Sequence, residues 1–123
     1  MRRPAMTIML SAVLMCATAP LESQQLMTLK VSPAVASEPA DLSITVTIEA
    51  DDRNRALEVS ALSDGFVRSS EVQLDGRDAQ RVWDFEFRAV PRGNYQVVGT
   101  LIGVDGKRAE VTRVAMVISP FAR

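Results

Sequence analysis

Histidine is missing from this 123-residue chain altogether, and cysteine occurs once, at Cys16. Without imidazole there is no histidine-dependent triad, no imidazole-ligated zinc and no side chain whose ordinary pKa lies near neutrality. A lone cysteine cannot close an internal disulfide, so the fold must rest on its hydrophobic core. Lysine is scarce too. Lys30 and Lys107 are the only lysines among 14 basic residues, and the bases are interspersed with 15 acids to a net charge of −1. Phosphate neutralisation needs a clustered basic face, so nucleic acid is excluded as a partner. Long apolar runs are absent as well: the longest, around Ile8 to Met15, extends over about 12 residues, short of the ~20 that a permanent bilayer span requires.

That short run belongs to a targeting signal. Arg2 and Arg3 supply a positive start, the apolar stretch follows, and Ala17-Thr18-Ala19 has the small-x-small pattern that signal peptidases accept. Pro20 is awkward at a cleavage point, so cutting after Ser23 is favoured. This divides the chain into a signal peptide over 1–23 and one domain over 24–123. Cys16 half resembles a lipoprotein cysteine, but Met15 is not the small residue such a box wants, so Cys16 is expected to leave with the signal. The expectation is export to the periplasm, cell envelope or medium without a lipid anchor.

What the remaining chain has in abundance is period-two alternation. Leu42, Ile44, Val46 and Ile48 alternate with Ser43, Thr45, Thr47 and Glu49, the pattern of a strand with one buried and one wet face. Trp83, Phe85 and Phe87 alternate with Asp84, Glu86 and Arg88, and Tyr95, Val97 and Leu101 follow. Asp64-Gly65, Asp75-Gly76, Asp105-Gly106 and Pro91-Arg92-Gly93-Asn94 are turn signals between the runs. Seven strands follow, near 26–32, 42–49, 55–62, 66–74, 81–89, 94–102 and 107–118, and this spacing predicts an all-β antiparallel sandwich. Pro33 and Pro39 make the segment from Ser32 to Asp41 an edge crossing between sheets. Ala109 and Val111 differ in parity from Val114, Met116 and Ile118, so a bulge near Thr112 or Arg113 is expected to bring all five inside.

The turn Val90-Pro91-Arg92-Gly93-Asn94-Tyr95-Gln96-Val97 resembles the entry to strand F of immunoglobulin-like and fibronectin type III-like sandwiches, where a tyrosine corner sits. The runs Asn54 to Val59, Arg68 to Glu71 and Leu74-Asp75-Gly76 are similar to an uncharacterised family of secreted bacterial immunoglobulin-like domains. The resemblance implies a seven-stranded immunoglobulin-like sandwich with Tyr95 as the corner residue, and brings no catalytic residues with it. Antibody features are missing, since there is no cysteine pair and Trp83 falls on the fifth strand. Transthyretin-like and carboxypeptidase regulatory-like sandwiches share the Pro-x-Gly-x-Tyr turn and form the alternative.

The function expected from this is a secreted, non-catalytic protein-interaction or structural module with no cofactor. The alternative is a module that binds carbohydrate or calcium. Carboxylates are plentiful, but no catalytic pair stands out. Asp51, Asp52, Asp75, Asp78 and Asp105 occupy loops, yet no calcium-loop spacing appears and Arg53, Arg55 and Arg77 intervene, so no metal site is assigned. Trp83, Phe85 and Phe87 could stack on sugars only by sending Asp84, Glu86 and Arg88 inward, so they are assigned to the core. In a sandwich of this order alternate loops share an end. Asp51, Asp52, Arg53, Asp75, Arg77, Asp78, Asp105 and Lys107 therefore gather at one end as the expected docking surface for a protein partner. Strand addition along the edge of the fourth or seventh strand is the rival mode.

Overall fold

Alternation of apolar and polar residues builds two sheets that share one core. The computed structural model describes residues 26–120; the signal segment, Cys16 and Phe121 lie outside the described residues. Eight strands follow in order: β1 (Met27–Ser32), β2 (Val35–Ser37), β3 (Ala40–Ile48), β4 (Asn54–Ser63), β5 (Phe66–Gln73), β6 (Val82–Val90), β7 (Gly93–Gly103) and β8 (Gly106–Ile118), with a short 3-10 turn at Gly76–Asp78 between β5 and β6. One sheet has the order β1-β3-β6 and the other β2-β8-β7-β4-β5.

The core sits between them. Ala40, Leu42, Ile44, Val46 and Ile48 project inward from β3 to meet Leu57, Val59 and Ala61 of β4 and Val97 and Leu101 of β7. Phe85 and Phe87 on β6 are buried in the same layer. Trp83 is half-buried at its edge, and its indole N–H donates to the Gln80 carbonyl at 2.8 Å. Tyr95 is 1% exposed, stacks edge-on with Phe66 and donates its hydroxyl proton to the Pro91 carbonyl at 2.7 Å. That bond ties the β6–β7 turn to the core, and burial raises the phenol's pKa.

Two features differ from the expectations. The eighth strand is β2, which forms where the proline-flanked crossing runs parallel to the end of β8, Val35 opposite Met116. The prolines confine it to a sheet edge, where their missing N–H groups leave no gap in a ladder. The bulge expected at Thr112 or Arg113 is absent there, and β8 pairs with β7 without interruption from Ala109 to Val117. Ala109, Val111, Ala115 and Val117 face the core, so Val114, Met116 and Ile118 point outward. The register shift lies instead between Leu101 and Ile102, with Arg108 as the extra residue of β8.

The packing predicts that Phe85→Ala destabilises the domain by about 3–5 kcal/mol, since the sheets cannot close over the lost ring. Chemical denaturation followed by the single tryptophan measures it. Emission from half-buried Trp83 should move to longer wavelength on unfolding.

Candidate functional site

The β3–β4, β5–β6 and β7–β8 loops meet at one end of the sandwich because alternate connections of antiparallel strands do. Their joining is chemical as well as topological. Val104 N–H donates to the Arg53 carbonyl at 3.1 Å, and the Arg77 guanidinium reaches Asp52 at 3.2 Å. Arg55 donates through Nη1 to the Asp52 carbonyl at 2.6 Å, while Leu74 N–H donates to the Arg55 carbonyl at 2.8 Å.

Under this rim lies a polar knot that sequence reading missed. Asn54 is fully buried; its amide donates to the Glu49 carbonyl at 2.9 Å and its Oδ1 accepts from Arg108 at 2.5 Å. The same guanidinium reaches Asp51 at 3.2 Å, and Arg53 grips both Asp51 oxygens at 3.0 Å. The β8 bulge is what allows it, since the extra residue tips the Arg108 side chain over the end of the core instead of out from the sheet. Gly103 completes the arrangement: a Cβ there would lie 2.5 Å from Arg108 Cδ and 2.9 Å from the Arg53 carbonyl oxygen. The one available signal was Arg108 itself, a charged residue adjoining the inward-facing Ala109.

The eight residues expected at this end divide into three groups. Asp51 is bound up in the knot, its side chain 22% exposed. Hydrogen bonds from Arg53 hold its carboxyl well below the usual carboxylate range, and the Arg53 pKa is raised in turn, chiefly by those same bonds and with a smaller contribution from the Asp105 charge. Asp52, Arg53 and Arg77 are exposed rim residues held in pairs, and Asp75, Asp78 and Asp105 are exposed beside them. Lys107 turns away along β8 to Glu110 at 2.7 Å, so the structure does not bring it into the cluster. Among the described residues no three histidine, cysteine, aspartate or glutamate side chains converge as metal donors.

The arrangement defines a class, the two-sheet all-β sandwich with a charged loop end. No family model and no curated protein sequence matches the chain. Its fold is similar to solved structures of superoxide reductase (neelaredoxin) from Ignicoccus hospitalis, with a TM-score of 0.56 at 12% identity over 82% of this chain and 83% of that one. A variant of the same enzyme gives 0.57 at 13% over 77% and 83%. The CARDB domain of a Pyrococcus furiosus protein, solved in complex with di-metal ions, gives 0.46 at 16% over 77% and 96%.

This corrects the expectation of a non-catalytic module. Enzymes share the fold, so a small sandwich is no ground for excluding catalysis. The physical reason is that a two-sheet core leaves its end loops free of packing duty, and a reactive centre can be placed on them without altering the fold. At such identity the likeness is one of fold. Reducing superoxide requires a one-electron donor, and the described residues include no histidine, no cysteine and no convergent donor set to hold a redox metal. The residues do not fit such a centre, and no electron-transfer step follows from them.

Two predictions concern the knot. Gly103→Ala should cost about 1–3 kcal/mol in thermal or denaturant unfolding, because Arg108 or the Arg53 backbone must move. Asp51 has a folded pKa below its unfolded value of ~3.9, so its stabilisation is full above that pH and fades as pH falls through the folded value. Asp51→Asn should therefore be less stable than wild type at pH 7, with the gap narrowing below about pH 4 in an unfolding series across pH.

Proposed function

We propose that the protein is an exported β-sandwich domain that recognises a protein partner through the loop end carrying Asp52, Arg77, Asp78 and Asp105. The observation that carries the reading is the division of labour at that end. Asn54, Arg108 and Asp51 brace the loops from beneath, while the outer carboxylates and guanidiniums stand in solvent on a stiffened base. Preorganised charges lose little entropy on docking, which favours recognition by complementary charge. Resemblance of the runs Asn54 to Val59, Arg68 to Glu71 and Leu74-Asp75-Gly76 to secreted bacterial immunoglobulin-like domains supports the assignment. Export rests on the charged start, apolar run and small-x-small pattern of residues 2–19. Among the described residues no helix is long and apolar enough to cross a membrane.

Photo-crosslinking in producing cells tests the reading. A photoreactive residue at position 78 or 105 should yield a discrete protein adduct, and one at position 84, on the outer face of β6, should not. Changing Asp52, with position 78 or 105 as the second site, to serine should leave the melting temperature within about 2 °C, as exposed substitutions do, and strongly reduce the adduct. An adduct that forms equally from position 84, or survives the serine changes, would discard the loop end as the site.

A further inference from the structure

The outer face of the five-stranded sheet is uneven along its strands. Near the charged loops it carries a row of Glu110, Thr100, Glu58 and Glu71 across β8, β7, β4 and β5. Two rows further from those loops the occupants are Val114, Gln96, Leu62 and Val67, in register across the same strands. Val114 and Val67 are 64% and 65% exposed. Met116 and Ile118 on β8, with Val35 on β2, extend the apolar surface to the sheet edge. Val114, Met116 and Ile118 are the residues that the missing bulge would have buried.

We infer that this half-face is the interface of a two-fold symmetric dimer, with a second copy of the chain as its occupant. Three features favour that occupant. The polar groups within the patch are amides and hydroxyls such as Gln96, Ser60 and Ser69, which both donate and accept and so can meet their own copies, whereas a one-sign surface could not. The apolar positions extend across the whole sheet, about 19 Å for four inter-strand spacings, and exposed apolar surface gathered on one face marks an interaction site.

The third feature is charge order. Gln96 lies four residues from Arg92 at one end of β7 and four from Thr100 in the carboxylate row at the other. A two-fold axis along the Val114–Gln96–Leu62–Val67 row therefore sets Arg92 of each copy level with Glu58 of the other. An axis along the strands would instead stack carboxylate row on carboxylate row. The first arrangement also leaves both charged loop ends at the outer tips of the dimer. The contact is confined to half of one sheet face, and small interfaces associate weakly, so the dimer is concentration-dependent. Its existence does not depend on the loop-end reading above.

Sedimentation equilibrium tests it. Wild type should be dimeric at protein concentrations of order 100 µM, and Val114→Glu and Val114→Arg should each be folded monomers, with the dissociation constant raised at least ~10-fold. Because the row meets its own copy, an equimolar mixture of the two variants should recover dimer. Val104→Glu, an exposed valine in the β7–β8 loop, should leave dimerisation unchanged. Should Val114→Glu unfold, Val67→Glu replaces it. A wild type that stays monomeric, a dimer indifferent to both changes, or a mixture that remains monomeric would each overturn the inference.

Discussion

The space between the two sheets is filled by apolar contact, and polar bonds between them lie only at its margins. No cysteine occurs among the described residues, and apart from Asn54 the buried set is hydrophobic. Every inward position of β3 and β7 must therefore meet a partner of fitting volume across the interlayer gap, since packing is the only attraction that acts there. This makes the period-two alternation obligatory. A one-residue slip in β3 would turn its whole apolar set to water and Asp41, Ser43, Thr45 and Thr47 to the core.

The irregularities are confined to places where the constraint relaxes. Ala89 adopts a positive φ of 56° next to the register shift between β3 and β6, and the Asp41 carboxylate accepts its N–H at 3.0 Å. Arg68 reaches across the open side between β5 and β6 to the Arg88 carbonyl while its guanidinium lies 5.1 Å from the Phe66 ring. At the other end the Arg108 bulge interrupts the pairing of the β7–β8 hairpin, which resumes at Ile102 and Lys107, and supplies the guanidinium that braces the β3–β4 loop. Each device sits at a strand end or edge, where altering one backbone position does not propagate through the core.

The charged rim and the apolar half-face are the parts of the surface that packing leaves uncommitted, and they lie at different heights on the sandwich. Their separation is a consequence of β8. Its length carries it past the core's end in one direction, to the bulge and the loop cluster, and in the other to the edge that β2 covers. A single strand thus contributes to both surfaces. The likeness to solved superoxide reductases is one of fold, and among the described residues of this chain no three histidine, cysteine, aspartate or glutamate side chains converge as metal donors.

Alternation and turn chemistry act between neighbours, and whatever they decide is legible in the chain. The inward set of β3, the placement of Phe85 and Phe87 and the gathering of the β3–β4, β5–β6 and β7–β8 loops followed from period two and from glycine-bearing turns, while the Tyr95 corner was implied by the resemblance of the Pro91 turn to immunoglobulin-like sandwiches. Three things were decided only by the tertiary structure. Parity shows that Ala109 and Val114 differ in face but not which face wins; the unbroken pairing of β8 with β7 sent Val114, Met116 and Ile118 outward. Asn54 and Arg108 are 54 positions apart, so their knot exists only once β4 and β8 flank β7 and the bulge turns Arg108 across Gly103. Lys107, which sequence placed in the charged cluster, went to Glu110 three residues on, because the strand carried its side chain away from the loops. Local patterns set which residues seek the core, whereas the direction of a side chain at a strand end depends on where the neighbouring strands stop.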